Sequence, residues 1–324
     1  VIILKRTFNA FLLLLMTLTM ATAWADEPPK ADLQKLTVML DWFVNPDHAA
    51  LVIAQEKGFF AAQGLNVELQ TPADPNDPPK LVAAEKVDLA ISYQPQVHIH
   101  VNAGLPIKRI GTLVATPLNS LVVLKNGPIK TLADLKGRKI GYSVGGFEEA
   151  LLKAFLAKAS LKPEDVTLVN INFSLAPALL SGQVDAVIGA FRNFELNQMD
   201  LAKKPGRAFY PEEEGVPPYE ELVIVANRDQ LNDPRFRRFL TALEQATLYI
   251  LNHPDEAWQA FIAQHKDLDD ELNRRAWRDT LPRLARRPAA LDEASYRRFA
   301  QFLAKQGVIT VALPVSNYAA QLLD

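Results

Sequence analysis

Leu36-Thr37-Val38-Met39-Leu40-Asp41-Trp42-Phe43-Val44-Asn45-Pro46-Asp47-His48 announces the architecture of this chain. Residues 36–40 are a short, mostly apolar run of strand length, and it stops at Asp41-Trp42. Helical periodicity then runs over 48–62 and closes with Gly64. Strand, polar-aromatic loop and helix together make the first unit of an α/β sheet. A loop in that position lies at the carboxyl end of the sheet, where open α/β sheets bind ligands.

The alternation continues outward. Residues 65–69 alternate apolar and polar like a strand, 77–85 read as a short helix, and 87–91, 107–114 and 120–124 as strands. The pattern restarts after Leu132, with strands at 139–142, 166–169 and 184–188 and helices at about 147–159 and 175–181. A loop over 211–220 precedes a strand at 221–226, and helices at 234–252, 254–265, 269–280 and 293–305 fill the rest. Two α/β units, the second inserted into the first, predict a two-lobed fold with a hinge and an interlobe cleft. Crossings near 124–129 and 222–227 put lobe 1 at 36–126 and 224–324, and lobe 2 at 127–223.

Composition narrows the function. With 49% hydrophobic and 22% charged residues and a net charge of −2, the 324-residue chain has no basic excess for nucleic acid. Lys5 and Arg6 precede an apolar run from Phe8 to Met20 and then Ala23-Trp24-Ala25, which reads as an export signal over 1–25 with a flexible leader over 26–35. No second apolar stretch approaches membrane-spanning length, so membrane contact is expected only through a partner. The sequence contains no cysteine, which removes disulfides, thiolate metal sites, cysteine nucleophiles and lipid attachment at the signal site. The expected product is a soluble periplasmic monomer with no cofactor and no metal.

Four loops that follow strands carry the candidate chemistry. In the first, Trp42 offers a flat apolar face, while Asp41 and Asn45 can accept from and donate to ring nitrogens and amino groups. Asp47 fits a helix cap, and His48 fits a ligand contact better than a base, since no nucleophile lies near it in sequence. Tyr93 and Gln94 follow the third strand, placed either in the cleft or at the hinge. Ser143, Gly145, Gly146 and Phe147 form a glycine loop that opens a helix. Its amides could face a ligand, or it could be an ordinary turn. In the fourth loop Phe191 could cover a ring, Asn193 adds an amide, and Glu195 could bond a ring nitrogen and its neighbouring amine together, or pair with Arg192.

These segments, together with 78–96, 111–124 and 217–229, resemble periplasmic binding proteins of the NMT1/THI5-like group, in the branch that takes thiamin pyrimidine precursors. The likeness runs from about Leu36 to Pro314. It implies a type II binding protein that closes on its ligand and delivers it to an ABC permease and ATPase. The cargo implied is formylaminopyrimidine or hydroxymethylpyrimidine, with riboflavin or a sulfonate as alternatives. The group's D-W-x-x-N-x-x-H pattern falls on Asp41, Trp42, Asn45 and His48, its tyrosine on Tyr93, its glycine loop on Gly145 and Gly146, and its acid on Glu195. Val44 stands where the group commonly has proline, and Ala50 where it has glycine. An enzyme branch, the fungal pyrimidine synthases, carries a cysteine-rich iron motif that a chain without cysteine cannot form.

Overall fold

The computed structural model describes residues 33–322, so the export signal expected over 1–25 lies outside the described residues. In chain order the strands are β1 (Gln34–Met39), β2 (Leu65–Gln70), β3 (Leu89–Ser92), β4 (Ile107–Val114), β5 (Asn119–Leu124), β6 (Lys139–Tyr142), β7 (Thr167–Asn170), β8 (Ala186–Phe191), β9 (Gly206–Phe209) and β10 (Leu222–Asn227). They form two five-stranded sheets, ordered β2-β1-β3-β10-β4 and β7-β6-β8-β5-β9. β1 begins at Gln34, paired with Leu65, and so takes in the end of the expected leader.

The two sheets share one plan. Three strands run parallel, and the fourth enters antiparallel: β10 between β3 and β4, β5 between β8 and β9. β5 and β10 are therefore the exchanged strands, and each is nearly all buried because helices cover both faces. This moves the boundaries. The strand over 119–124, expected in lobe 1, is hydrogen-bonded in the second sheet, so the chain crosses at 115–118, not near 124–129. The return crossing spans 210–221, so all of β10 lies in the first sheet. The restart of the strand–helix pattern misleads here, since a crossing strand joins its new sheet before that lobe's first helix. Edge strand β9, half-exposed and four residues long, leaves too short a signal to read.

Helices complete the first lobe. Pro234–Asn252 begins at Asp233, whose side chain accepts from the Arg235 amide, and buries Phe236, Phe239, Leu240, Leu243, Ala246 and Ile250 along one stripe. It stops at His253 because Pro254 follows, and the next helix, Pro254–Gln264, starts at that proline. Further on, the helix Glu271–Thr280 reaches across to the second lobe. Arg275 Nη1 donates to Asp200 Oδ2 at 2.7 Å, and Asn197 Nδ2 donates to Asp279 Oδ2 at 2.8 Å. Among the described residues no helix is long and apolar enough to cross a membrane.

The two crossings are tied by one buried carboxyl. Glu221 Oε2, just before β10, accepts the backbone amides of Leu118 at 2.6 Å and Asn119 at 2.9 Å. Removing that acceptor strands two buried N–H groups. Glu221→Ala is expected to cost about 1–3 kcal/mol in urea denaturation, and Glu221→Gln, which keeps an oxygen, less. An unchanged midpoint in the alanine variant would contradict this account of the hinge.

Candidate functional site

The carboxyl ends of the parallel strands of both sheets meet at a cavity of about 280 Å³. Asp41 and Trp42 follow β1, Tyr93 follows β3, Phe147 and Glu148 follow β6, Phe173 follows β7, Phe191 ends β8 and Glu195 opens the helix after it, Glu195–Leu201. The sheets alone thus bring residues from five strand ends, distant in sequence, to one place.

Of the thirteen candidate residues, Asp41, Trp42, Asn45, Tyr93, Phe147, Phe191 and Glu195 line this cavity. Asp41 is fixed on both oxygens. Tyr93 Oη donates to Oδ2 at 2.8 Å, and His48 Nε2 lies 2.9 Å from Oδ1. His48 Nδ1 accepts the Asn45 amide, so Nε2 carries the hydrogen and donates. Tyr93 in turn stacks on Phe147, with ring centroids 5.0 Å apart.

The other candidates stand elsewhere. His48 is fully buried behind Asp41 and orients it without facing the cavity. Gln94 is spent on the hinge, where its Oε1 accepts the Glu220 amide at 2.8 Å. The glycine loop does not aim amides at a ligand, because acids and an asparagine claim them first. Ser143 N donates to Glu148 at 2.7 Å, Gly145 N to Asn76 Oδ1 at 2.8 Å, and Gly146 N to Glu149 at 3.0 Å. Ser143 Oγ bonds the Asn172 carbonyl, and Gly146 lines a separate surface depression with Lys153. Asn193 donates to Asp47 Oδ1 at 2.7 Å and to Thr280 at 2.8 Å, joining the lobes beside the cavity. Asp47 itself lines the cavity, and Asn45 is the residue that caps, its side chain accepting the Asp47 amide. Arg192 pairs with Glu212, which leaves Glu195 free of it.

Several lining residues escaped the sequence reading. Phe173 sits 4.6 Å from Trp42 and 4.7 Å from Phe43, ring centroid to centroid, and closes the aromatic wall from the second lobe. Its position just after a strand is the signal that could have found it. Glu148 packs against Gly189, where an added Cβ would run into the carboxylate, so glycine is required there at φ +101°. Phe194, Gln198, Leu268 and Asn273 also line the cavity.

The electrostatics are one-sided. Four acids, Asp41, Asp47, Glu148 and Glu195, line the cavity, and among the described residues no lysine or arginine does. Burial pushes the Glu148 carboxyl up to about 8, Glu195 up to about 7 and Asp47 up to about 6, against the pull of the hydrogen bonds each accepts. Glu221 at the hinge is likewise raised by burial to about 7. A lining of aromatic faces and proton-holding carboxyls suits a flat ring rich in N–H donors and repels an anion. Among the described residues no cluster of His, Asp or Glu could hold a metal ion.

Known proteins resemble this chain over most of its length. The profile of the family described as NMT1/THI5 like matches residues 45–257. A Haemophilus influenzae protein named for thiamine biosynthesis is 56% identical over 290 residues, 89% of this chain and 92% of that one. The formylaminopyrimidine-binding protein of Halalkalibacterium halodurans is 32% identical, covering 83% of this chain and 81% of its own length. A Saccharomyces cerevisiae 4-amino-5-hydroxymethyl-2-methylpyrimidine phosphate synthase is 28% identical over 74% of each chain. In structure, the alkanesulfonate-binding protein of Xanthomonas axonopodis pv. citri superposes with a TM-score of 0.71 over 90% of this chain and 99% of that one, at 17% identity.

The raised carboxyls make a prediction about the ligand-free protein. Each holds its proton to higher pH in the native chain than in the unfolded one, so between about pH 4.5 and 8 the native state binds more protons. Their contribution is fully present below the unfolded-state values and is lost as pH rises through the native ones. The melting temperature is expected to fall from pH 5 to pH 8. A rise across that window would contradict the assignment.

Proposed function

This chain belongs to the NMT1/THI5-like family, and we propose from that premise that it captures a thiamin pyrimidine precursor in the periplasm for an ABC permease and its ATPase. The observation that carries the reading is the cavity itself, which is aromatic, acidic and free of lining cations among the described residues. At about 280 Å³ it lies at the small end of ligand sites, sized for one ring with a short arm and not for a three-ring flavin. A sulfonate would meet four carboxyls and no counter-charge, so the shared fold with an alkanesulfonate binder does not carry that ligand over.

Glu195 is the centre of recognition in this reading. An aminopyrimidine presents a ring nitrogen beside an exocyclic amine. A carboxyl that holds a proton donates to the first and accepts from the second, so carboxyl and ring share one proton without net charge. The Phe191 amide, donating to Glu195 Oε2 at 2.7 Å, holds the group in place. Trp42 supplies a flat face against the ring, and closure of the lobes buries it. Binding without turnover belongs to the same reading, which the formylaminopyrimidine-binding relative supports. We assign the transport partners, the monomeric state and the export route on the same reading.

Formylaminopyrimidine or hydroxymethylpyrimidine should raise the melting temperature of the purified protein, while riboflavin and alkanesulfonates leave it flat. The opposite pattern would reject the cargo. Titration calorimetry should show Trp42→Ala and Glu195→Ala losing about ten-fold or more in affinity. Glu195→Gln keeps a donor and an acceptor, so it should stay within several-fold of wild type. It should also lose the fall in affinity expected as pH rises above about 7, where free Glu195 gives up its proton. A glutamine variant as weak as the alanine one would show that a shared proton is not what the site reads.

A further inference from the structure

Phe43 lines the cavity, yet it is 53% exposed to solvent. A ring that faces both the cavity and bulk water stands at the mouth between them. Phe173 meets it there from the second lobe, with ring centroids 4.7 Å apart and planes tilted by 44°. The same Phe173 ring lies 4.6 Å from Trp42 in an edge-on arrangement, so it joins the mouth to the proposed ring-binding face. A phenylalanine as open to water as Phe43 contributes little to the core, and the ring-binding reading gives it no task.

Each ring is carried on backbone that is pinned within its own lobe. The Phe43 carbonyl accepts Asn45 Nδ2 at 3.0 Å, and Asn45 also caps the turn that follows. On the second lobe, Asn172 adopts the left-handed region at φ +49°, which asparagine tolerates better than most residues. Its amide donates to Asn170 Oδ1 at 2.9 Å, and its carbonyl accepts the Ser143 hydroxyl. The two rings therefore part in only two ways. Either a side chain swings aside, or the lobes separate.

We infer that Phe43 and Phe173 form an aromatic gate across the mouth of the cavity, which sets how fast a ligand enters and leaves and does not itself read the ligand. The inference goes beyond the pyrimidine reading and uses it only to choose the probe. A gate that is shut most of the time slows entry and exit by the same factor, so their ratio, the affinity, is preserved. Replacing Phe43 by alanine removes one half of the closure, and both rates rise together. A ring that held the ligand would behave differently, since its loss would speed exit and leave entry unchanged. When shut, the gate also keeps solvent from the Trp42 face, so it leaves a mark on the protein before any ligand is added.

Stopped-flow tryptophan fluorescence with formylaminopyrimidine, on wild type, Phe43→Ala and Phe43→Tyr, tests the gate. In the alanine variant both rate constants are expected to rise about five-fold or more, with their ratio within about two-fold of wild type. The tyrosine variant keeps the ring and should stay near wild-type rates. Faster dissociation with unchanged association, or no change in either rate, would overturn the gate. A second arm needs no ligand. Acrylamide quenching of Trp42 is isolated by subtracting the signal of a Trp42→Phe control, and Trp258 and Trp277 are only 5% and 4% exposed. Phe43→Ala should raise the quenching constant of Trp42, and an unchanged constant would overturn the gate. If the wild type binds neither pyrimidine while that constant still rises, the cargo falls and the gate stands. Phe43 is exposed, so its truncation leaves the core intact and the variant folds.

Discussion

Four carboxyl groups share one cavity with no lysine or arginine among the described lining residues, and the rest of the site is arranged around that fact. Uncompensated buried charge is too costly to keep, so such groups either hold protons or are bonded by donors. Both occur here. Asp41 is held by Tyr93 and His48, Asp47 by Asn193 and Thr280, Glu148 by the Ser143 amide and Glu195 by the Phe191 amide. These donors, which could have served a bound anion, are used instead to steady the acids. A ligand meets carboxyls set among aromatic faces.

The same bonds tie the lobes. Asp47 comes from the loop after β1, Asn193 from the loop after β8 and Thr280 from a C-terminal helix, so one buried oxygen gathers three distant parts of the chain. On another side, Asn76 of the first lobe accepts from Gly145 and donates to the Ser143 carbonyl of the second at 3.1 Å. Phe173 meets Trp42 and Phe43 across the cleft. Closure therefore has its own contacts beyond the ligand.

Much of this was legible in the sequence because two periodic signals are strong. Alternating strands and helices gave the α/β class, and the rule that ligand loops follow strands led to Asp41, Trp42, Tyr93, Phe147, Phe191 and Glu195. The lobe boundaries were less legible, since an exchanged strand such as β5 has the same local pattern whichever sheet it joins. Residues that act through another residue misled for a similar reason. His48 and Asn193 have the chemistry of ligand contacts, yet their partners, Asp41 and Asp47, are set by tertiary packing. The glycine loop is the clearest case. Its amides would be free to bind a ligand if Glu148, Glu149 and Asn76 did not take them, and Asn76 is far away in sequence. Asn273 gave no signal at all, because its place at the cavity depends on how the C-terminal helices fold back over the first lobe.

The most direct measurement is the crystal structure of the protein with formylaminopyrimidine bound. The account predicts the ring in the cavity against the Trp42 indole, its nitrogen and exocyclic amine both within hydrogen-bond reach of Glu195, and no anion beside it. A ring bound outside this cavity, or one that turns its amino edge away from Glu195, would contradict it.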